Sequence, residues 1–317
     1  MKASYSICIV IFVLARLTDA AFAKGAQPAG QAVFPANNIW NASITKLSIH
    51  PSSRKYIDSI GRAKTLHPDF GSGTWEGRPM GIPINIVGPA TKRLPVKFEY
   101  ADESDRVAYP IPDNPKIEGG FDSEGDRHLI SLDTANAKLY ELYQVSKPAN
   151  GAWSAGSGAV FDLRSNALRP DGWTSADAAG LPIMPGLLRY DELSSGSINH
   201  ALRFTAPQTQ RAYVWPARHF ASSDSNKNLP PMGIRLRLRA DFDESKFPRD
   251  CQIILRCLKT YGMFLADNGS SWYISGEPDE RWNNDTLHEL SKITGSDFEV
   301  VDEAGLMLKP DSAECRQ

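Results

Sequence analysis

The chain has 317 residues, 41% of them hydrophobic, with a formal net charge of −2 and a sequence pI of about 6.3. That is enough apolar material for one large packed domain, and the near-neutral balance removes the electrostatic case for nucleic acid or an anionic membrane as the main partner. Twenty-two prolines and 24 glycines punctuate short apolar runs, the pattern of a sheet protein with many turns.

Residues 1–23 have the three-part order of a secretory signal peptide: a positive start at Lys2, an apolar run from Ile7 to Leu14, and the small-residue site Ala21-Phe22-Ala23. The run is short for a bilayer span, Arg16 and Asp19 follow it closely, and Cys8 has no cleavage site before it that would mark a lipoprotein. The chain is expected to be secreted or periplasmic, to start near Lys24 once processed, and to have no membrane insertion after cleavage. Residues 24–33 are small and polar and read as a flexible leader. Residues 34–317 read as a single β-rich domain, a β-sandwich or jelly-roll with a few helices.

Within that domain a helix is expected over 51–60, closed by Gly61. Pro/Gly-rich chain wraps one side from His67 to Gly120. Alternation predicts strands over 128–133, 138–145, 159–163, 198–204, 212–215 and 234–240, the last with Leu236 and Leu238 inward and Arg235, Arg237 and Arg239 outward. Helical spacing of Ile253, Ile254, Leu258 and Tyr261 predicts a helix over 248–261 stopped by Gly262, and a third helix is expected over 284–293. Cleavage leaves Cys251, Cys257 and Cys315. The first two fall on different faces of one helix, so a bridge would have to involve Cys315, and disulfides are not the main support.

Several catalytic arrangements are unsupported. There is no Gly-x-Ser-x-Gly elbow, no His-Glu-x-x-His and no paired Cys-x-x-Cys, while Gly71-Ser72-Gly73 and Gly156-Ser157-Gly158 lack the Lys and helix of a phosphate cradle. The densest polar cluster runs from Asp122 to His128. Its alternate acids Asp122, Glu124 and Asp126 could converge on Ca2+, although Arg127 stands where a calcium loop needs glycine, and a solvated acidic turn is the plainer reading.

Polar residues on apolar strand faces carry more information, because burying them unpaired is costly. Glu141 shares a face with Leu139 and Tyr143, His128 with Ile130 and Leu132, and His200 with Leu202 and Phe204. Each histidine could be a hydrogen-bonded core residue and Glu141 could form a structural ion pair with an Arg; together they suggest a wet cleft in which Glu141 has a raised pKa. Tryptophans near turns, with Asp and Asn beside several of them, suit stacking on sugar rings, although core burial is the usual fate of Trp.

The segments 166–170, 175–182, His200-Ala201-Leu202-Arg203-Phe204, Tyr213-Val214-Trp215-Pro216-Ala217-Arg218-His219 and 261–269 resemble an uncharacterised family of exported bacterial proteins over most of the processed chain. The resemblance implies secretion and one continuous domain, and carries no activity.

The leading expectation is a secreted carbohydrate-active enzyme, a glycoside hydrolase acting on an extracellular or cell-wall polysaccharide or oligosaccharide. Its catalytic candidates are Glu141 with Asp126 or Asp162, since hydrolysis takes a pair of carboxyl groups. His128, His200, Arg203, Trp215, Asp267 and Trp272 are the candidate substrate contacts. No cofactor is required, with Ca2+ at Asp122, Glu124 and Asp126 the possible addition. The alternatives are a polysaccharide lyase, in which Arg203 or Arg127 neutralises a uronate and His200 or Tyr143 is the base, and a non-catalytic glycan-binding or envelope structural protein.

Overall fold

The computed structural model describes residues 27–146 and 151–316. The signal-peptide segment, with Cys8, lies outside the described residues. The fold is mainly β. Its strands, in chain order, are β1 (His67–Asp69), β2 (Thr74–Trp75), β3 (Arg78–Pro79), β4 (Ile84–Val87), β5 (Arg93–Phe98), β6 (Ala108–Pro110), β7 (Leu129–Asp133), β8 (Lys138–Tyr143), β9 (Trp153–Ala155), β10 (Ser157–Asp162), β11 (Leu202–Ala206), β12 (Arg235–Leu238), β13 (Met263–Asn268), β14 (Tyr273–Ser275) and β15 (Phe298–Val300). The α-helices among the described residues are α1 (Ser53–Ile60), α2 (Tyr190–Ser195), α3 (Arg249–Thr260) and α4 (Asn284–His288).

Two sheets organise the molecule. One has six strands in the order β1-β14-β11-β13-β12-β15, mixing parallel pairs such as β11–β13 with antiparallel ones. The other has four strands in the order β10-β8-β7-β4. Smaller sheets, β6-β5-β9 and the hairpin β2-β3, are added to these.

The largest apolar cluster joins the six-stranded sheet to α1 and α3 through residues such as Ile57, Ile254, Leu258, Phe264 and Trp272. The four-stranded sheet is covered on both faces. Ile130, Leu132 and Leu139 enter one apolar cluster, and Leu129, Tyr140 and Leu142 enter another with Tyr109 and Trp153. Every residue of β7 is accordingly buried.

The helix over 51–60 forms as α1 with Gly61 in the left-handed region at its C-cap, and the helix over 248–261 forms as α3. Chain 284–293 is α4 followed by a 3-10 turn. Residues 198–201 and 212–215 are not strands, apart from a single bridge at Tyr213. Arg235 does not point outward. It is fully buried, and its guanidinium donates to the carbonyls of Tyr261, Ile39 and Ala42 and to Glu303. With its N–H groups matched and Phe264 beneath it, a charge that alternation assigned to solvent sits in the core.

In the expected leader, Val33 is buried in the cluster beneath the four-stranded sheet. The three cysteines of the described residues are buried free thiols; Cys315 donates to the Asn37 carbonyl and Cys257 to that of His200.

Candidate active site

The ends of the two main sheets meet at a cleft of about 480 Å³. Asp267 and Asn268 come from the end of β13, Tyr143 from the end of β8 and Ser157 from the start of β10. The turn around Asp177, the loop at Asp126 and the segment at His219 close the other sides. A bulge in the β11–β13 pairing lies between Phe204 and Thr205, next to Asp267, and a bulge of this kind re-aims the side chains at a strand end.

The floor is an ion pair. Asp177 is buried, and Arg203 of β11 grips it with two bonds, from Nε at 3.1 Å and Nη2 at 2.8 Å, while Nη1 donates to Ser275 Oγ at 2.6 Å. Asp267 stands beside Asp177 within hydrogen-bond reach, partly exposed to the cleft, and accepts the Asn268 N–H at 2.7 Å. Burial first, and then repulsion from Asp177, lift the Asp267 carboxyl well above its ordinary range against the pull of Arg203. A carboxyl group with a raised pKa faces the cleft.

Around it the lining is acidic. Glu103, Asp126, Asp177 and Asp267 contribute four carboxyl groups and His219 one basic group. His219 Nδ1 lies 2.8 Å from the Ala178 carbonyl and must donate to it, which leaves Nε2 facing Glu103 at 3.7 Å. Tyr143 and the half-exposed Tyr100 supply aromatic surface. Burial first, and then Asp126 and Asp267, raise the Tyr143 phenol.

The cleft takes up three of the residues singled out in the sequence, Asp126, Asp267 and Tyr143, and Arg203 lies directly beneath it. Glu141 is elsewhere. It is fully buried, its carboxylate receives the N–H of Ile183 at 3.0 and 2.9 Å and that of Met184 at 2.8 Å, and it does not line the cleft. It anchors the 183–184 turn against β8. Burial pushes its carboxyl up to about 7, opposed by those two N–H groups. Asp162 is on the surface at the far end of β10, between Lys138 and Arg164.

His200 is buried, with Nε2 3.0 Å from Arg189 Nη2 and 3.1 Å from Glu192, behind a second cleft lined by Arg189, Glu192, Glu277 and Arg281. Burial there would raise Glu192, but Arg189 and His200 outweigh it and hold the carboxyl at about 2. Thus His128, Glu141 and His200 do not open on one groove; each is satisfied locally. Trp272 is buried against Phe204 and Phe298 with its indole N–H on the Gly61 carbonyl, and Trp215 donates to the Ser312 carbonyl.

At the mouth of β7, His128 is buried and its Nδ1 lies 2.6 Å from Glu118 Oε2. Burial would lower His128, but Glu118 overrides it and lifts the ring to about 9; burial would raise Glu118, but His128 holds it down. Asp122 and Glu124 are exposed and do not join Asp126 in a ligand group; Glu118 and His128 do.

Comparison with family models, with curated proteins and with solved structures finds no match, so the functional reading rests on the site itself. Sequence reasoning missed Glu103, Asp177 and His219. Glu103 ends a 3-10 turn and the other two lie in irregular chain, where no alternation marks which way a side chain points.

Proposed function

We propose that this chain is an exported enzyme that hydrolyses a glycan by acid–base catalysis. Asp267 donates the proton to the departing sugar oxygen, and Asp126, exposed in the opposite loop, is the second carboxyl group. The observation that carries the reading is the Asp177–Asp267 contact. It lifts the Asp267 carboxyl well above the ordinary carboxylate range beside other carboxyl groups in an open cleft, which is what an acid–base pair needs. Tyr100 and Tyr143 suit the flat C–H face of a sugar, and the acidic groups suit its hydroxyls.

The same lining selects among glycans. An acidic wall repels a uronate, and the Arg203 guanidinium is committed to Asp177 and Ser275 beneath the floor. This favours neutral or cationic polysaccharides and takes support from a lyase. Export is proposed on the order of residues 1–23.

The test is a panel of neutral, cationic and anionic polysaccharides, with reducing ends and binding read on the same samples. The proposal expects reducing ends from a neutral or cationic member. Binding with no new reducing ends makes the chain a glycan-binding protein, and absorbance from an unsaturated product makes it a lyase.

A further inference from the structure

We infer that Glu118, Asp126 and His128 form a binding site for one first-row divalent cation, Zn2+ or Mn2+, at the edge of the cleft. Each offers one ligand atom, and these atoms lie within 4.8 Å of one another. Ligands bound to zinc at about 2.0–2.2 Å stand roughly 3.5 Å apart, so small side-chain movements close the set on an ion.

The orientation of the His128 ring points the same way. Nε2 lies 3.1 Å from the Ala176 carbonyl oxygen. That oxygen can only accept, so Nε2 carries a hydrogen. Nδ1 is then the nitrogen whose lone pair, in the neutral ring, faces the Glu118 carboxylate. Two acceptors so placed require a cation between them, either a proton or a metal ion. A ring fixed through one N–H to a backbone carbonyl, with its other nitrogen directed at carboxylates, is the arrangement that orients metal-ligating histidines.

The site is also placed to use an ion. Asp126 and Ala176 both line the cleft, so the ring's anchor and the outermost ligand belong to its wall. Three protein ligands leave a coordination position for water, which a bound divalent ion makes more acidic.

The donor set selects the metal. One imidazole with two carboxylates suits zinc or manganese, whereas Ca2+ takes about six to eight oxygens. The nearby loop carbonyls that could supply them are engaged: Arg127 holds those of Ser123 and Gly125, and Arg78 holds that of Asp122. The inference does not rest on hydrolysis, since a glycan-binding protein could hold the same ion.

The test uses the full processed chain, stripped with EDTA and free of substrate. Mn2+ is followed by the paramagnetic resonance signal of the free ion, Zn2+ by calorimetry, and Ca2+ serves as comparison. Mn2+ also separates this site from the buried thiols, which favour softer ions. One ion per chain is expected with micromolar affinity or tighter, weakened at least about tenfold in Asp126→Asn and in His128→Gln. Asp126 is exposed, so its variant keeps the fold and decides the matter if His128→Gln does not fold. The inference is overturned by no saturable binding of Mn2+ or Zn2+ below roughly millimolar concentration, by unchanged affinity in Asp126→Asn, or by tighter binding of Ca2+. Turnover is not part of the readout, so failure of the hydrolase reading and failure of this one are separate outcomes.

Discussion

Asp177 and Asp267 share the floor of the cleft, and Arg203 grips only Asp177. That asymmetry makes the two residues respond differently to the same substitution. Asp267→Asn imitates the protonated acid, keeps the oxygen that accepts from Asn268, and gives Asp177 an N–H donor; its stability should stay within about 1 kcal/mol of the parent. Asp177→Asn leaves a buried guanidinium without its counter-charge and should cost about 3–5 kcal/mol. Urea unfolding at neutral pH reads both, and equal losses would mean that the proton is not on Asp267.

Glu141 carries a pH signature of its own. Its folded carboxyl sits at about 7, above the ordinary glutamate range, so the folded chain holds a proton that the unfolded chain has released. Stability should therefore fall as pH rises from about 4.5 to 7 and show no further loss from this group above that, by up to about 3 kcal/mol. Glu141→Gln should make this window shallower, with Glu303, also lifted to about 7 by burial, keeping its own share, and should weaken the fold by about 1–3 kcal/mol, because an amide N–H2 then meets a backbone N–H of the 183–184 turn. Unfolding free energies at pH 5 and pH 8 check it; a parent stability that rises across the window would oppose this assignment.

Gly262 ends α3 at φ +65°, and a Cβ there would lie 2.0 Å from the Leu236 carbonyl oxygen. Gly262→Ala combines the strain of a left-handed non-glycine, about 1–3 kcal/mol, with a backbone clash between α3 and β12. Loss of more than about 2 kcal/mol is expected in thermal and urea unfolding. An alanine variant as stable as the parent would contradict the close approach of these elements.

The sequence displayed its fold where periodicity was regular. The α3 stripe of Ile253, Ile254 and Leu258 and the alternation in β7 and β8 lie where they were expected. Alternation failed where a polar residue has a private partner. Arg235, Glu141 and His200 lie on apolar faces because backbone carbonyls, backbone N–H groups or a neighbouring ion pair satisfy them. The sequence does not reveal such partners, which for Arg235 and Glu141 come from residues tens of positions away and for His200 from the preceding helix. Asp267 could be noticed as a polar residue closing an apolar strand, but its role depends on Asp177, ninety residues earlier in a turn. Mixed pairing in the six-stranded sheet was equally hidden, since alternation is the same for parallel and antiparallel neighbours.

The central claim is that Asp267 is a catalytic acid held protonated by Asp177. Its most direct test is the pH dependence of kcat/KM for reducing-end release from whichever panel polysaccharide the parent cleaves, measured with the parent and Asp267→Asn. The parent should stay active well above the ordinary carboxylate range and lose rate only when Asp267 finally ionises, and the variant should fall by about 10²–10⁴-fold and lose that alkaline limb. Release of reducing ends by Asp267→Asn at the parental rate, with the same pH profile, would contradict the account.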